Sequence, residues 1–165
     1  MKTEKKRKIF NPAKSVERAG KVKAGLPVWK LVSEGKVYSW TSKMERVSIM
    51  RGGVPYAAIE VIGSSINMPV KDVLHIFGLP QTTYNKKRRE KSLLGQRESE
   101  IILLLTELID FGKRVFNGEE DKFQRWMKKP NTSLGGNTPE SLLDSVTGIQ
   151  EVKNSLNRLE FGNLA

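Results

Sequence analysis

The chain has 165 residues, no cysteine and a formal charge of +11. That length suits one compact domain, or a small domain with a module and a tail, and needs neither disulfide nor thiolate metal site to hold a core. Its longest apolar run, Ile101-Ile102-Leu103-Leu104-Leu105, is far too short for a membrane span, and no apolar stretch of signal-peptide length follows the charged N-terminus, so a soluble, cytoplasmic protein with no membrane partner is expected.

The positive charge is concentrated at the front. Residues 1–50 hold 13 Lys/Arg against 4 Asp/Glu, whereas residues 51–165 hold 16 against 14. Such a surplus draws polyanions, nucleic acid foremost, although a solvated tail without a partner fits it equally. Residues 1–24 are Lys-rich, lack periodicity and contain Asn11-Pro12, so they are expected to be mostly disordered. In residues 26–41, Trp29, Leu31 and Val32 suggest a short packed element. The alternation in Val37-Tyr38-Ser39-Trp40-Thr41 fits a brief strand or plain extended chain.

From Ser42 onward the signals are helical. Ser42 and Glu45 have capping-box spacing, Met44, Val47 and Met50 follow at helical spacing, and Gly52-Gly53 closes the helix. A second helix should start near Pro55, with Ala58, Val61, Ile62 and Ser65 inward, and break at Asn67-Met68-Pro69. Val70, Val73, Leu74 and Phe77 mark a third. After Gly78-Leu79-Pro80, a polar, basic helix runs from Gln81 to about Lys91. The strongest helix runs from about Arg97 to Phe116. Ile101, Leu104, Leu105, Leu108 and Phe111 form one face and Ile102, Ile109 and Phe116 another, so it is buried centrally or bridges two layers. Asn117-Gly118 stops it. Glu119-Glu120-Asp121 open the next helix, with Phe123, Trp126 and Met127 as its apolar side and Pro130 at its end. Pro139 to Thr147 and Ile149 to Glu160 complete the chain, the last lining up Val152, Leu156 and Leu159. The expected fold is all-α, with about seven short helices and no internal repeat.

Val70 to Arg89 fits a helix-turn-helix. Gly78 sits at the turn, Leu74 stands where most examples carry Ala, and Leu79 and Tyr84 anchor the second helix. Gln81, Thr82, Thr83, Asn85 and Lys86 then face outward, followed by Lys87, Arg88 and Arg89. Gln and Asn can read adenine, and Lys and Arg can bind guanine or phosphate. A plain helical hairpin with a solvated basic face has the same spacing. An enzyme is not expected. The single histidine, His75, has no carboxylate pair, His cluster or nucleotide-binding glycine loop around it, and no cofactor or metal is implied.

The stretch KKPNTSLGGNTPESLLDS, residues 128–145, is dense in turn chemistry. Pro130 ends a helix, Gly135-Gly136 permits positive φ, Thr138-Pro139 can open a helix with Leu142 and Leu143 inward, and Gly148 can cap its end. Local chemistry alone makes this a connector between helices. The run from about Glu98 onward, however, resembles the C-terminal toxin-binding domain of the Xre/MbcA/ParS family of bacterial type II antitoxins. The matching residues are Val115-Phe116-Asn117, Trp126-Met127, Pro130-Asn131, Leu134-Gly135-Gly136, Thr138-Pro139, Leu142-Leu143, Gly148 and Arg158-Leu159-Glu160-Phe161-Gly162. Met127, Leu159 and Phe161 replace the family's more usual Leu, Ile and Tyr. Residues 52–91 resemble the helix-turn-helix usually fused to this domain.

The resemblance implies a non-enzymatic antitoxin. Its partner would be a cognate toxin encoded beside it, typically a RES-domain or ParT-like protein that consumes NAD or transfers ADP-ribose. The toxin-binding residues would be Trp126, Pro130, Asn131, Leu134, Gly135, Gly136, Arg158, Glu160, Phe161, Gly162 and Ala165, with the domain covering the toxin and its chain end at or near the mouth of the toxin's active site; phase with Phe123 also suits Trp126 to the core. It further implies operator DNA as a second partner, autorepression, a homodimer and a higher-order complex with toxin. The expected division is a basic, partly disordered arm over 1–41, a helix-turn-helix domain over 42–94 and a toxin-binding domain over 95–165. A free-standing helix-turn-helix regulator without a toxin is the alternative.

Overall fold

The computed structural model describes residues 28–162. The Lys-rich segment expected to be disordered lies outside the described residues, as does Ala165. The described chain begins with an antiparallel hairpin, β1 (Trp29–Ser33) and β2 (Lys36–Trp40), in which Trp29 pairs with Trp40 and Ser33 with Lys36. Glu34 and Gly35 both take positive φ, 52° and 73°, as a two-residue turn matched to strand twist requires. Alternation then sends Leu31, Ser33, Tyr38 and Trp40 into the core and leaves Val32 and Val37 exposed. The segment is therefore a strand pair rather than loose extended chain, and Val32 does not share a packed face with Leu31.

The rest of the described chain is helical: α1 (Lys43–Gly52), α2 (Ala58–Ile66), α3 (Val70–Phe77), α4 (Gln81–Arg89), α5 (Gln96–Val115), α6 (Glu120–Met127) and α7 (Val146–Glu160). Short 3-10 turns at Thr132–Leu134 and Pro139–Leu142 lie between α6 and α7. Ser42 Oγ accepts the Glu45 amide at 3.2 Å, as a cap should. The Glu45 carboxylate, however, reaches one residue further back than the capping box predicts and accepts the Thr41 amide at 2.7 Å.

Two predicted apolar faces are displaced. In α1, Met44 is 74% exposed and no residue is fully buried; Ile49 and Met50 make its half-buried contact with the core. In α2, Ala58, Ile59, Ile62, Gly63 and Ile66 are the buried set, while Val61 and Ser65 are only half-buried. The cause lies upstream. Val54 to Tyr56 is not yet helix: the Val54 carbonyl accepts the Leu94 amide at 2.8 Å and the Tyr56 amide donates to Ser92 at 3.3 Å. This pairing of two loops delays the helix past Pro55 and turns its inner face by one residue.

Every layer rests on α5. Its buried side chains include Ile101, Ile102, Leu103, Leu105, Leu108, Ile109 and Phe111, and it packs against α7, α1, α2 and β1. At Gly112 a Cβ would strike the Phe123 ring, so the glycine is what lets α6 close on α5. There Phe116, Phe123 and Trp126 form an aromatic cluster with centroids 5.9–6.4 Å apart. One carboxylate is buried in this core. Glu107 accepts the indole N–H of Trp40 at 2.7 Å and the Arg46 guanidinium at 2.8 Å, joining the hairpin and α1 to α5. Among the described residues no helix is long and apolar enough to cross a membrane.

Removing one partner of a buried pair leaves the other charge uncompensated. Glu107→Ala should therefore lower unfolding free energy by on the order of 3 kcal/mol in urea titrations, and Glu107→Gln by less.

Candidate functional site

α3 and α4 meet through a three-residue turn, Gly78-Leu79-Pro80. Gly78 adopts φ 61° and closes α3, with its amide on the His75 carbonyl at 3.1 Å and the Leu79 amide on the Leu74 carbonyl at 3.0 Å. Pro80 then sets the entry to α4, and Tyr84, 3% exposed, anchors that helix to the core. Gln81, Thr82, Thr83, Asn85, Lys86 and Arg89 are exposed, whereas Lys87 and Arg88 are half-buried. Gln81 Nε2 donates to Asn85 Oδ1 at 3.0 Å, so the two amides expected to read bases face the same side.

Arg88 is turned the other way. Its Nη2 donates to Glu60 Oε2 at 2.7 Å, and the Tyr84 hydroxyl donates to Glu60 Oε1 at 2.8 Å. One carboxylate on α2 thus holds two residues of α4. The Arg88 hydrogen bond, helped by Tyr84, keeps the Glu60 carboxyl below the ordinary carboxylate range against the opposing effect of burial. Burial first, and the neighbouring carboxylate second, push the Tyr84 hydroxyl up to about 12. Glu60 carried no signal in the sequence. Its partner lies 28 residues away.

The second surface is the corner after α6. Asn131 organises it. Its Oδ1 accepts the Ser133 amide and hydroxyl, both at 2.9 Å, and its main-chain N–H and carbonyl pair with Asn137 and Gly136. Gly135 and Gly136 both take positive φ, 65° and 82°, which side chains with a Cβ rarely adopt. The corner is then tied to α7: Ser133 Oγ lies 2.8 Å from Ser155 Oγ, and Asn131 Nδ2 donates to the same hydroxyl at 3.4 Å. Ser155 is buried, a role its polar type concealed in the sequence.

This tie brings part of the expected toxin-binding set together. Arg158 Nη2 reaches the Ser133 carbonyl at 3.5 Å, so the last turn of α7 lies against the corner. Pro130, Gly135, Gly136, Arg158, Glu160, Phe161 and Gly162 are exposed, and Phe161 is 73% exposed. Gly162 has φ 58°, which turns the chain off the helix axis. Leu134 is buried, so it packs the corner from within rather than offering a surface. Trp126 is half-buried against Phe116 and Phe123. Leu159, expected to line up with Val152 and Leu156, is 50% exposed at the end of the helix.

Gly148 is not a C-terminal cap. It sits in the first turn of α7, where its amide donates to Ser145 Oγ at 3.1 Å. The Leu142 carbonyl occupies the space that a Cβ would need. The segment from Pro139 is a 3-10 turn ending at Leu142, not a helix reaching Thr147, because Ser145 starts a new helix instead. His75 is exposed on α3 and lines a cleft of about 590 Å³ with Asp72, Glu140 and Asp144. No group of three or more His, Asp or Glu among the described residues is placed to hold a metal.

These two surfaces fall in two known domains. Residues 45–107 match the Xre-like helix-turn-helix domain of antitoxins, and residues 112–162 match the antitoxin Xre/MbcA/ParS C-terminal toxin-binding domain. The chain belongs to the Xre/MbcA/ParS-type antitoxins. Such antitoxins are regulatory proteins, not enzymes. An "Antitoxin Xre" of Photorhabdus laumondii is 28% identical over 155 residues, covering 94% of this chain and 97% of its own, so the similarity takes in the hairpin as well. An "Antitoxin Xre" of Yersinia enterocolitica is 29% identical, covering 70% of this chain and 78% of its own. A "Prs ADP-ribosylating antitoxin" of Sphingobium is 26% identical, covering 75% and 83% respectively.

Two outcomes follow for the antitoxin's stability. Gly148→Ala forces the Leu142 carbonyl away from α7 and should destabilise the chain by about 1–3 kcal/mol, measured as a lowered urea midpoint. The Glu60 interaction has a defined pH sense: a carboxyl whose folded pKa is depressed contributes stability above its unfolded pKa and loses it as pH falls through the folded value. The stability difference between the parent and Glu60→Gln should therefore be constant between about pH 5 and pH 9, below the range in which Tyr84 titrates, and shrink on acidification below the ordinary carboxylate range.

Proposed function

We propose that the antitoxin neutralises a cognate toxin by seating its C-terminal lobe, residues 95–165, over the toxin's catalytic pocket. The observation that carries this reading is the union of the corner and the end of α7. The Arg158–Ser133 contact lays the last turn of α7 against the corner, and Phe161, three residues on, is exposed. An anchored arginine and a large exposed aromatic at one end of a rigid lobe are the kind of residues that dominate protein interfaces. Because the corner is internally hydrogen-bonded, inserting it requires little further ordering.

Charge suits the same partner. From residue 93 onward the chain holds 9 Lys/Arg against 11 Asp/Glu, although the whole chain carries +11. A weakly acidic lobe complements a cleft that binds the phosphates of NAD. The toxin is accordingly proposed to be an NAD-consuming RES-domain protein or an ADP-ribosylating, ParT-like enzyme. The name of the Sphingobium relative favours ADP-ribose chemistry. The contact residues proposed are Pro130, Asn131, Gly135, Gly136, Arg158, Glu160, Phe161, Gly162 and Ala165, with Trp126 and Leu134 supporting them from behind. An interface of standard size would cover roughly 800 Å² on each partner.

The helix-turn-helix is proposed to bind operator DNA as a homodimer and to repress the antitoxin's own operon. Gln81, Thr82, Thr83, Asn85 and Lys86 would lie toward the major groove, with Arg89 on phosphate. A regulator without a toxin would account for α4 but would leave Phe161 exposed for no purpose.

Co-expression tests the reading. The neighbouring reading frame should be lethal alone and harmless with the full antitoxin. A chain lacking residues 158–165 should keep its helical circular dichroism and its DNA binding yet give no protection. Full protection by the truncated chain contradicts the proposal.

A further inference from the structure

Four consecutive cations, Lys86, Lys87, Arg88 and Arg89, end the helix proposed to meet DNA. They are not equivalent. Lys86 and Arg89 are exposed, and Lys87 lies 3.7 Å from Glu90 in a solvent-facing pair. Arg88 falls one turn after the buried Tyr84, on the side that α4 turns toward α2. Its Nη2 is held by Glu60 at 2.7 Å, and its Nε is buried without a hydrogen-bond partner. The guanidinium is therefore tied to α2 by its carboxylate, although the Arg88 side chain stays 40% exposed. Glu60, Tyr84, Asn85, Arg88 and Arg89 together line an open depression of about 560 Å³ at the end of α4. A carboxylate thus sits at the rim where Asn85 and Arg89 would approach the duplex.

We propose that Glu60 withholds Arg88 from DNA. Arg88 is a positioning residue that seats the recognition helix on α2, and Glu60 limits how many phosphates that helix neutralises. A guanidinium already in a charge-assisted bond gains little by exchanging its carboxylate for a phosphate. The rim carboxylate also repels the backbone. Phosphate contacts strengthen binding to every sequence alike, whereas base contacts discriminate. In a chain carrying +11, holding one cation back preserves the ratio between operator and random DNA. Glu60 thereby acts as a specificity-determining residue, although it does not touch a base. The inference rests on the DNA-binding reading above.

The test is the salt dependence of binding, measured with the duplex upstream of the antitoxin's own reading frame and with a random-sequence duplex. Each phosphate contact contributes about 0.9 to the log–log slope. Arg89→Gln should lower the slope by about 0.9, whereas Arg88→Gln should leave it unchanged. Glu60→Gln keeps the side-chain shape and should raise the slope by about 0.9. It should also tighten random-duplex binding several-fold and narrow the operator-to-random ratio. The double variant Glu60→Gln/Arg88→Gln should return to the parental slope. Circular dichroism checks that each variant is folded.

A loss of slope in Arg88→Gln equal to that in Arg89→Gln would overturn the inference. So would an unchanged slope and random-duplex affinity in Glu60→Gln. If the parent protein bound neither duplex, the DNA-binding reading would fall and the inference with it. A slope that answers to Arg89 but not to Glu60 removes the inference alone.

Discussion

A buried carboxylate on the central helix fixes how this molecule is put together. Glu107 lies in α5, 5% exposed, among Leu103, Leu108 and Phe111. Left alone there, it would be strongly unfavourable. It is tolerated because Trp40 and Arg46 approach from two different elements and satisfy the same oxygen. The hairpin and α1 therefore have one register in which they can dock, since any slip strands the charge. With those elements set, α2 covers another side of α5 and α7 the rest. α5 thus supports α7 directly and α3 and α4 through α2.

The two surfaces solve different problems. α4 presents a regular helix surface, and what must be controlled is its seating. Tyr84 supplies the apolar anchor and Glu60 the polar one. The corner presents irregular backbone, which must be rigid without being regular. Asn131 does this by spending its side-chain oxygen on Ser133 and its amide on the buried Ser155. Two positive-φ glycines then let the chain reverse in the open, and Gly148 lets the Leu142 carbonyl press against α7. Turn residues that seem merely permissive are, together, the means by which α7 and the corner become one surface.

How far the sequence foretells this depends on the range of each interaction. The i, i+3, i+4, i+7 spacing of Val70, Val73, Leu74 and Phe77 is enough to place α3, and Gly78 is enough to place the turn, because both signals are local. The Xre/MbcA/ParS resemblance is equally legible, since its motif runs through contiguous turn residues. Features set at a distance are hidden. Pro55 announces a helix start, yet pairing of Val54 with Leu94 delays it. Ser155 looks like a solvent residue in a polar helix but is buried under the corner. Gly148 suggests a cap because a glycine after a helical run usually is one, whereas here it answers to a carbonyl packed against it. The alternation of Val37 to Trp40 is too short to separate strand from coil until Leu31 and Trp40 are seen to share the core. Arg88 seems one more cation in a basic run, and only the fold reveals that it faces Glu60.

If the corner and the end of α7 occlude another protein's catalytic pocket, the structure of the antitoxin bound to the protein encoded beside it should show the contact. Gly135, Gly136, Arg158 and Phe161 are expected to be enclosed by that protein, with residues 163–165 at or within its active site. A complex in which the pocket stands open, and the end of α7 projects into solvent, would contradict it.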